Sequence, residues 1–204
     1  MTAMSALTEL AAEVSVCTRC ILSKSRTRAV PGEGPENAPI LFVGEGPGFH
    51  EDKQGRPFVG AAGQFLEELL ASIGLKREDV FIANVVKCRP PGNRDPLPDE
   101  IEACRSYLDR QIELINPRVI VTLGRYSMAR WFPNVKISAI HGQPRKIEGR
   151  LIMPTFHPAA ALHQPSLRKE VEADFRKLPE ILAQSEKLED SAPPPPEAEQ
   201  LSLF

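Results

Sequence analysis

The sequence predicts an α/β domain built on a mainly parallel sheet with helices on both faces. Three observations predict it. Short, wholly apolar runs of strand length alternate with stretches whose apolar residues recur at helical spacing. Gly, Pro and Asn bound these runs. The 204 residues, 42% hydrophobic and 25% charged, are enough to bury one substantial core with some chain left over.

In chain order, Leu7, Leu10, Ala11 and Val14 give a helix over Thr2 to Val16. A loop follows with Arg19, Lys24, Arg26 and Arg28 and no acid until Glu33. Ile40 to Val43 is a buried strand closed by Gly44-Glu45-Gly46-Pro47-Gly48. Leu66, Leu69, Leu70 and Ile73 lie on one helix face, and Gly74 ends that helix. Val80 to Val86 is a second strand with Asn84 as its polar residue. A Pro/Gly/Asn-rich loop from Arg89 to Pro98 leads into a helix capped near Asp99 and stopped by Asn116-Pro117. Val119 to Leu123 and Leu151 to Phe156 are the third and fourth strands, the latter ending at His157-Pro158. A last helix is expected from about Leu167 to Leu182.

The formal charge of −2 is unevenly spread, because the acids are dense near the end and leave the body mildly basic. No stretch nears the roughly 20 apolar residues of a membrane span, and no basic residue precedes Arg19 to start a secretory leader. A cytoplasmic location is expected. There the four Cys are poor disulfide candidates and better read as buried thiols or a metal site.

Ligands of such sheets bind beyond the carboxyl ends of the strands. Gly44 to Gly48, Asn84 and His157 should therefore converge on one edge and form a single pocket. The glycine loop is no dinucleotide fingerprint, since Pro47 interrupts it, the next helix starts only near Gly60 and no acid ends strand two. A phosphate-binding loop ending in Gly-Lys-Ser/Thr is absent from the sequence as well. Cys17-x-x-Cys20 is a chelating pair, and Cys88 and Cys104 supply two more thiols, a set suited to zinc or to an iron-sulfur cluster.

Several motifs in order carry a resemblance: Gly44-Glu45-Gly46-Pro47-Gly48 with Glu51-Asp52, Gly55-Arg56-Pro57-Phe58-Val59-Gly60, Asn84, His157-Pro158-Ala159-Ala160-Ala161-Leu162, and the four Cys. From about Cys17 to Leu182 the chain resembles the family 4 uracil-DNA glycosylases. The resemblance implies a three-layer α/β/α sandwich on a four-stranded, mainly parallel sheet. It also implies a 4Fe-4S cluster held by Cys17, Cys20, Cys88 and Cys104, and excision of uracil from single- or double-stranded DNA by a monomer.

On these positions the chemistry is legible. A uracil must leave the base stack and enter a snug pocket. Phe58 stacks on it, and the Asn84 amide matches O4 and N3–H while rejecting cytosine. By resemblance Glu51 fills the space of a thymine methyl. His157 donates to O2 as charge grows there, with the Gly46 N–H helping to bind the base. Water activation falls to Glu45 or to a dissociative path that needs little base help. The Gly60 helix start, with backbone N–H groups on phosphate, and Ala160, Ala161 and Leu162, near the minor groove, are expected to meet DNA. Arg26, Arg28, Arg89 and Arg168 are weaker phosphate candidates. A covalent X-type relative carries a His in a basic insertion before the last strand, whereas Arg145 to Arg150 contains none here. A noncatalytic iron-sulfur DNA-binding module is the other alternative.

Three segments are expected: a glycosylase domain over 1–184, a disordered acidic Pro-rich linker over 185–199, and a terminal peptide over 200–204. Gln200, Leu201, Leu203 and Phe204 resemble the peptide by which bacterial proteins bind the sliding clamp.

Overall fold

The computed structural model describes residues 4–190, with side chains to residue 186. Ser5 caps α1 (Ala6–Val16) by accepting from the Thr8 N–H, so this helix starts four residues later than its apolar spacing suggested. After β1 (Ile40–Gly44) come a short helix not expected from the sequence, α2 (Phe49–Gln54), and then α3 (Ala61–Ser72). Next are β2 (Phe81–Asn84), α4 (Pro98–Ile115) and β3 (Val119–Leu123). Two single-turn helices, α5 (Arg125–Met128) and α6 (Ile137–Ile140), precede β4 (Arg145–Ile147) and β5 (Arg150–Thr155). The chain closes with α7 (Pro158–His163), α8 (Pro165–Phe175) and α9 (Leu178–Asp190).

The sheet order is β2-β1-β3-β5-β4. Its first four strands are mutually parallel, as expected, and β4 adds a fifth, antiparallel edge strand. That strand escaped the sequence reading because its turn is Glu148-Gly149, both at positive φ, rather than the Asn-Gly usual in such hairpins. The expected last helix is two helices: Pro179 has no N–H for the ladder, so the helix breaks after Phe175 and restarts at Leu178. The boundary expected at residue 185 falls inside α9, where Ser185 is buried. The remainder of the expected linker, 191–199, and the peptide 200–204 lie outside the described residues.

Alternation along the strands divides the core into two. Leu41, Val43, Ile120 and Ile152 pack under α1 and α4 with Leu10, Leu108 and Ile112. Ile40, Phe42, Val119, Val121 and Met153 face α3, α8 and α9 with Leu66, Leu70, Val171 and Phe175. This is the three-layer sandwich. β1 sits centrally, with β2 and β3 on opposite sides, so its carboxyl end is the topological switch point where such folds bind ligands. No helix among the described residues is long and apolar enough to cross a membrane.

Candidate active site

The parallel register lays Gly44 beside Asn84, and the Gly124 N–H donates to the Thr155 carbonyl. The segments leaving β1, β2 and β5 therefore meet at one edge, as the sequence implied. Between them lies a cavity of about 320 Å³, lined by Glu45, Gly46, Pro47, Gly48, Glu51, Phe58, Ala62, Asn84, Pro90, Asn93, Arg94, His157 and Ala159. Its size is that of a small-molecule site.

Asn84 is 1% exposed, and its Oδ1 is buried without a hydrogen-bond partner. A buried orphan acceptor costs free energy that a fold recovers only when a donor arrives. A Cβ on Gly44 would lie 2.4 Å from that oxygen and 2.7 Å from the Phe58 ring, so only glycine lets these two groups stand together over the strand end.

Beneath Asn84 lies Lys87, fully buried with no carboxylate beside it. Its ammonium donates to the Asn84 backbone carbonyl at 2.8 Å and to Gln111 Oε1 at 2.5 Å, and Gln111 in turn donates to the Pro31 carbonyl at 2.7 Å. Burial pushes this ammonium down to about 8.

His157 Nδ1 accepts from the Ala159 N–H at 3.1 Å, which leaves the proton of the neutral ring on Nε2. Burial pushes its pKa down to about 4, against a smaller opposite pull from Glu51, so the ring is neutral at pH 7. The Phe58 and His157 rings are in near-parallel contact at 5.7 Å and make one wall of the cavity. Phe58 holds a φ of 50°, a strained value for an aromatic residue. What holds it is Arg77, whose guanidinium donates to the carbonyls of Pro57 and Phe58 while Glu33 accepts from its Nε. From the other side the Phe58 carbonyl fits against Gly63, where a Cβ would collide with it.

Glu51 lines the cavity, yet its Oε1 also accepts from the N–H groups of Val59 and Gly60 at 2.8 and 2.9 Å. The Gly60 N–H, at the helix start expected to meet a DNA phosphate, thus already has the Glu51 carboxylate as its partner, just before α3. The Gly46 N–H has no partner among the described residues. The Glu45 carboxyl is raised above its ordinary range by burial and by the charge of Asp95, with Arg125 opposing.

The expected DNA face divides. Ala160 and Leu162 are exposed on α7, whereas Ala161 is buried against the α3 side of the core and cannot reach a groove. Arg168 is held by Glu68 and Glu172, both at 3.0 Å, and lies over the Phe65 ring. Arg26 is directed at Cys88 Sγ and the Ser15 carbonyl. Neither arginine is placed for phosphate, while Arg28 is exposed and Arg89 half-buried.

On the opposite core face the four Cys line one cavity, all as free thiols. N–H donors already point at three of the sulfurs: Arg19 N at Cys17, Arg26 Nη1 at Cys88 and Lys87 N at Cys104. Burial raises the Cys88 thiol and pushes Cys104 up to about 11. Among the described residues no three His, Cys, Asp or Glu side chains close on one point tightly enough for a single ion, so the sulfurs surround a space without meeting.

Sequence reasoning missed Lys87, Gln111, Arg77 and Gly63, which support the site from behind, and Asn93 and Arg94, which line it. A lysine between Val86 and Cys88 at a strand end, and a glycine inside an apolar helix face, were the available signals.

Residues 31–181 match the Uracil DNA glycosylase superfamily. Type-4 uracil-DNA glycosylases of Sulfurisphaera tokodaii and Archaeoglobus fulgidus are 51% and 50% identical to this chain over 188 residues, covering 87% of it in both cases and 86% and 94% of themselves. That of Thermotoga maritima is 49% identical over 177 residues, 84% of this chain and 92% of its own. At this identity over nearly the whole described body, and with the pocket where the fold places it, the chain belongs to the type-4 branch of the uracil-DNA glycosylase superfamily.

Proposed function

We propose that this protein is a DNA-repair enzyme that flips uracil out of DNA and hydrolyses its N-glycosidic bond, leaving an abasic site. The observation that carries this is the partnerless Asn84 Oδ1 in a cavity walled by Phe58 and a neutral His157. Uracil N3–H is the donor that this acceptor lacks, and uracil O4 accepts from the same amide. Cytosine has no N3–H, so it leaves the oxygen unpaired. The base lies against Phe58, with the Gly46 N–H adding a backbone donor.

As the C1′–N1 bond breaks, its electron pair leaves with the base and charge spreads to O2. His157 meets that oxygen through Nε2–H, a neutral donor that stabilises the leaving anion without surrendering its proton. Water then adds to C1′, and its proton passes to the Glu45 carboxylate, whose raised affinity for protons suits a base in a partly buried site. Glu51 occupies the space beside uracil C5 and excludes the thymine methyl.

Cys17, Cys20, Cys88 and Cys104 hold a 4Fe-4S cluster. The all-sulfur donor set around one cavity, with Cys88 and Cys104 buried, and the N–H groups aimed at three of the sulfurs support it. When bound, it crosslinks the loop after α1 to the loop after β2 and to α4. The segment Arg145 to Arg150 forms a hairpin without histidine, which favours turnover over covalent trapping. Gln200, Leu201, Leu203 and Phe204 form a peptide for the bacterial sliding clamp, recruiting the enzyme by raising its local concentration.

The test is release of free uracil from a uracil-containing oligonucleotide, followed by dissociation of the protein. Binding without release is the result expected of a noncatalytic iron-sulfur module and overturns the proposal.

A further inference from the structure

We propose that Phe49, Arg89 and Lys53 form a stacking site for the unpaired nucleobase that neighbours the target uracil on the same DNA strand. The proposal rests on the protein being a uracil-DNA glycosylase and adds a second base site outside the uracil pocket.

Phe49 opens α2 with 48% of its surface exposed, the one aromatic among the large exposed hydrophobic residues described. An aromatic ring left in water forgoes the burial that most such rings obtain. Two cations flank it: Arg89 Cζ lies 5.2 Å and Lys53 Nζ 5.7 Å from the ring centroid. Neither forms an ion pair among the described residues, whereas Arg56, Arg94, Arg125 and Arg168 are each held by a carboxylate. Exposed aromatic surface beside unneutralised cations is the combination that binds single-stranded nucleic acid, with the base on the ring and the phosphates on the charges.

The position adds the second argument. Phe49 follows Gly48, and Arg89 precedes Pro90 and is oriented by an Nε bond to Asn93 Oδ1 at 2.7 Å. Gly48, Pro90 and Asn93 all line the uracil cavity, so the platform continues its rim. When uracil enters the cavity, each neighbouring base loses a stacking partner. The base passing over this rim finds a replacement in Phe49, and its backbone meets Arg89 and Lys53. In a duplex the same base stays paired to the opposite strand, so the contact favours single-stranded substrate.

The experiment measures binding of the full-length protein to a single-stranded oligonucleotide carrying one non-hydrolysable 2′-fluorinated deoxyuridine, at fixed salt. Two further oligonucleotides replace the nucleotide on the 5′ or the 3′ side with an abasic spacer. Phe49→Ala is expected to weaken binding about tenfold and Phe49→Trp to retain it. With the spacer at the stacked position, wild type and Phe49→Ala should bind alike. Arg89→Ala should lower the slope of log affinity against log salt by about 0.7, the value for one phosphate on a single strand. A loss under twofold for Phe49→Ala, or an equal loss on all three oligonucleotides, overturns the stacking site. A wild-type protein that releases no uracil instead overturns the glycosylase assignment on which it rests.

Discussion

The Lys87 ammonium donates to the backbone carbonyl of Asn84 at 2.8 Å, so the residue proposed to read the base is fixed from below by a buried charge. Lys87 also lines the cysteine cavity, and its own N–H points at Cys104 Sγ. One residue thus spans the space between that amide and the cysteine sulfurs. Replacing it with Met removes the donor from Asn84 and from Gln111, leaving two buried acceptors unpaired at a cost of about 1–3 kcal/mol each. Lys87→Met is expected to melt several degrees lower and, below its melting point, to show a raised KM for uracil DNA because Asn84 is no longer held. A variant of lowered stability but unchanged KM would limit Lys87 to a structural part.

Glu51 has two duties that substitution can separate. Its carboxylate accepts from the N–H groups of Val59 and Gly60 and so holds the segment that leads into α3, and its bulk lies in the cavity. Glu51→Gln keeps an oxygen for the two N–H groups and the bulk for exclusion. Glu51→Ala loses both, at a cost of about 1–3 kcal/mol for the unpaired N–H groups, and is expected to gain measurable excision of thymine or 5-substituted uracils. If a folded Glu51→Ala protein discriminates against thymine as well as wild type, another side chain fills the C5 space.

The parallel core strands and the convergence of Gly44, Asn84 and His157 were legible because wholly apolar strand runs and the polar residues ending them are local features of sequence. What was not legible is long-range. Arg77 reaches back nineteen residues to hold the strained Phe58 carbonyl, and Gln111 reaches twenty-four residues to Lys87. Neither pairing leaves a periodic trace. The helix start at Gly60 reads as a phosphate site because helix starts carry unpaired donors; Glu51, nine residues earlier, folds over the Gly60 N–H itself. Ala161 is buried and Arg168 is paired with Glu68 and Glu172, which the motif alone does not reveal: it names residues, but the helix decides which of them face the core or a neighbouring carboxylate.

The cysteine cavity predicts a dependence of folding on the cluster. Thiolate ligation is coupled to folding, and Cys17 lies with Cys20 in the loop that Cys88 and Cys104 would anchor to the body. Cys17→Ser is expected to reduce the yield of brown, soluble protein severalfold while leaving activity per folded, loaded molecule within a few-fold. Iron and sulfide analysis of anaerobically purified protein checks it; stoichiometric zinc without sulfide would disprove the cluster.

Two titratable groups of the pocket, His157 and Glu45, shift in opposite directions, and pH separates their parts. His157 takes a proton only near pH 4 when folded but near its ordinary value of 6.5 when unfolded. Between these values the unfolded chain binds more protons, so this group lowers folding stability as pH falls from 6.5 towards 4. Its neutral Nε2–H donor nevertheless persists through that range, and the single-turnover rate should show no step at pH 6.5. Glu45 acts as a base only when ionised, and burial with Asp95 raises its pKa. The acid limb of the rate should therefore lie above the ordinary carboxylate range and belong to Glu45. Asn84→Ala and His157→Ala are each expected to lower the rate, the latter by about 10²–10³-fold as for loss of an oxyanion donor, with the limb unmoved. Glu45→Gln should flatten the limb at a reduced rate. A wild-type step near pH 6.5 that vanishes in His157→Ala would show that His157 works as the imidazolium and would overturn the neutral-donor mechanism.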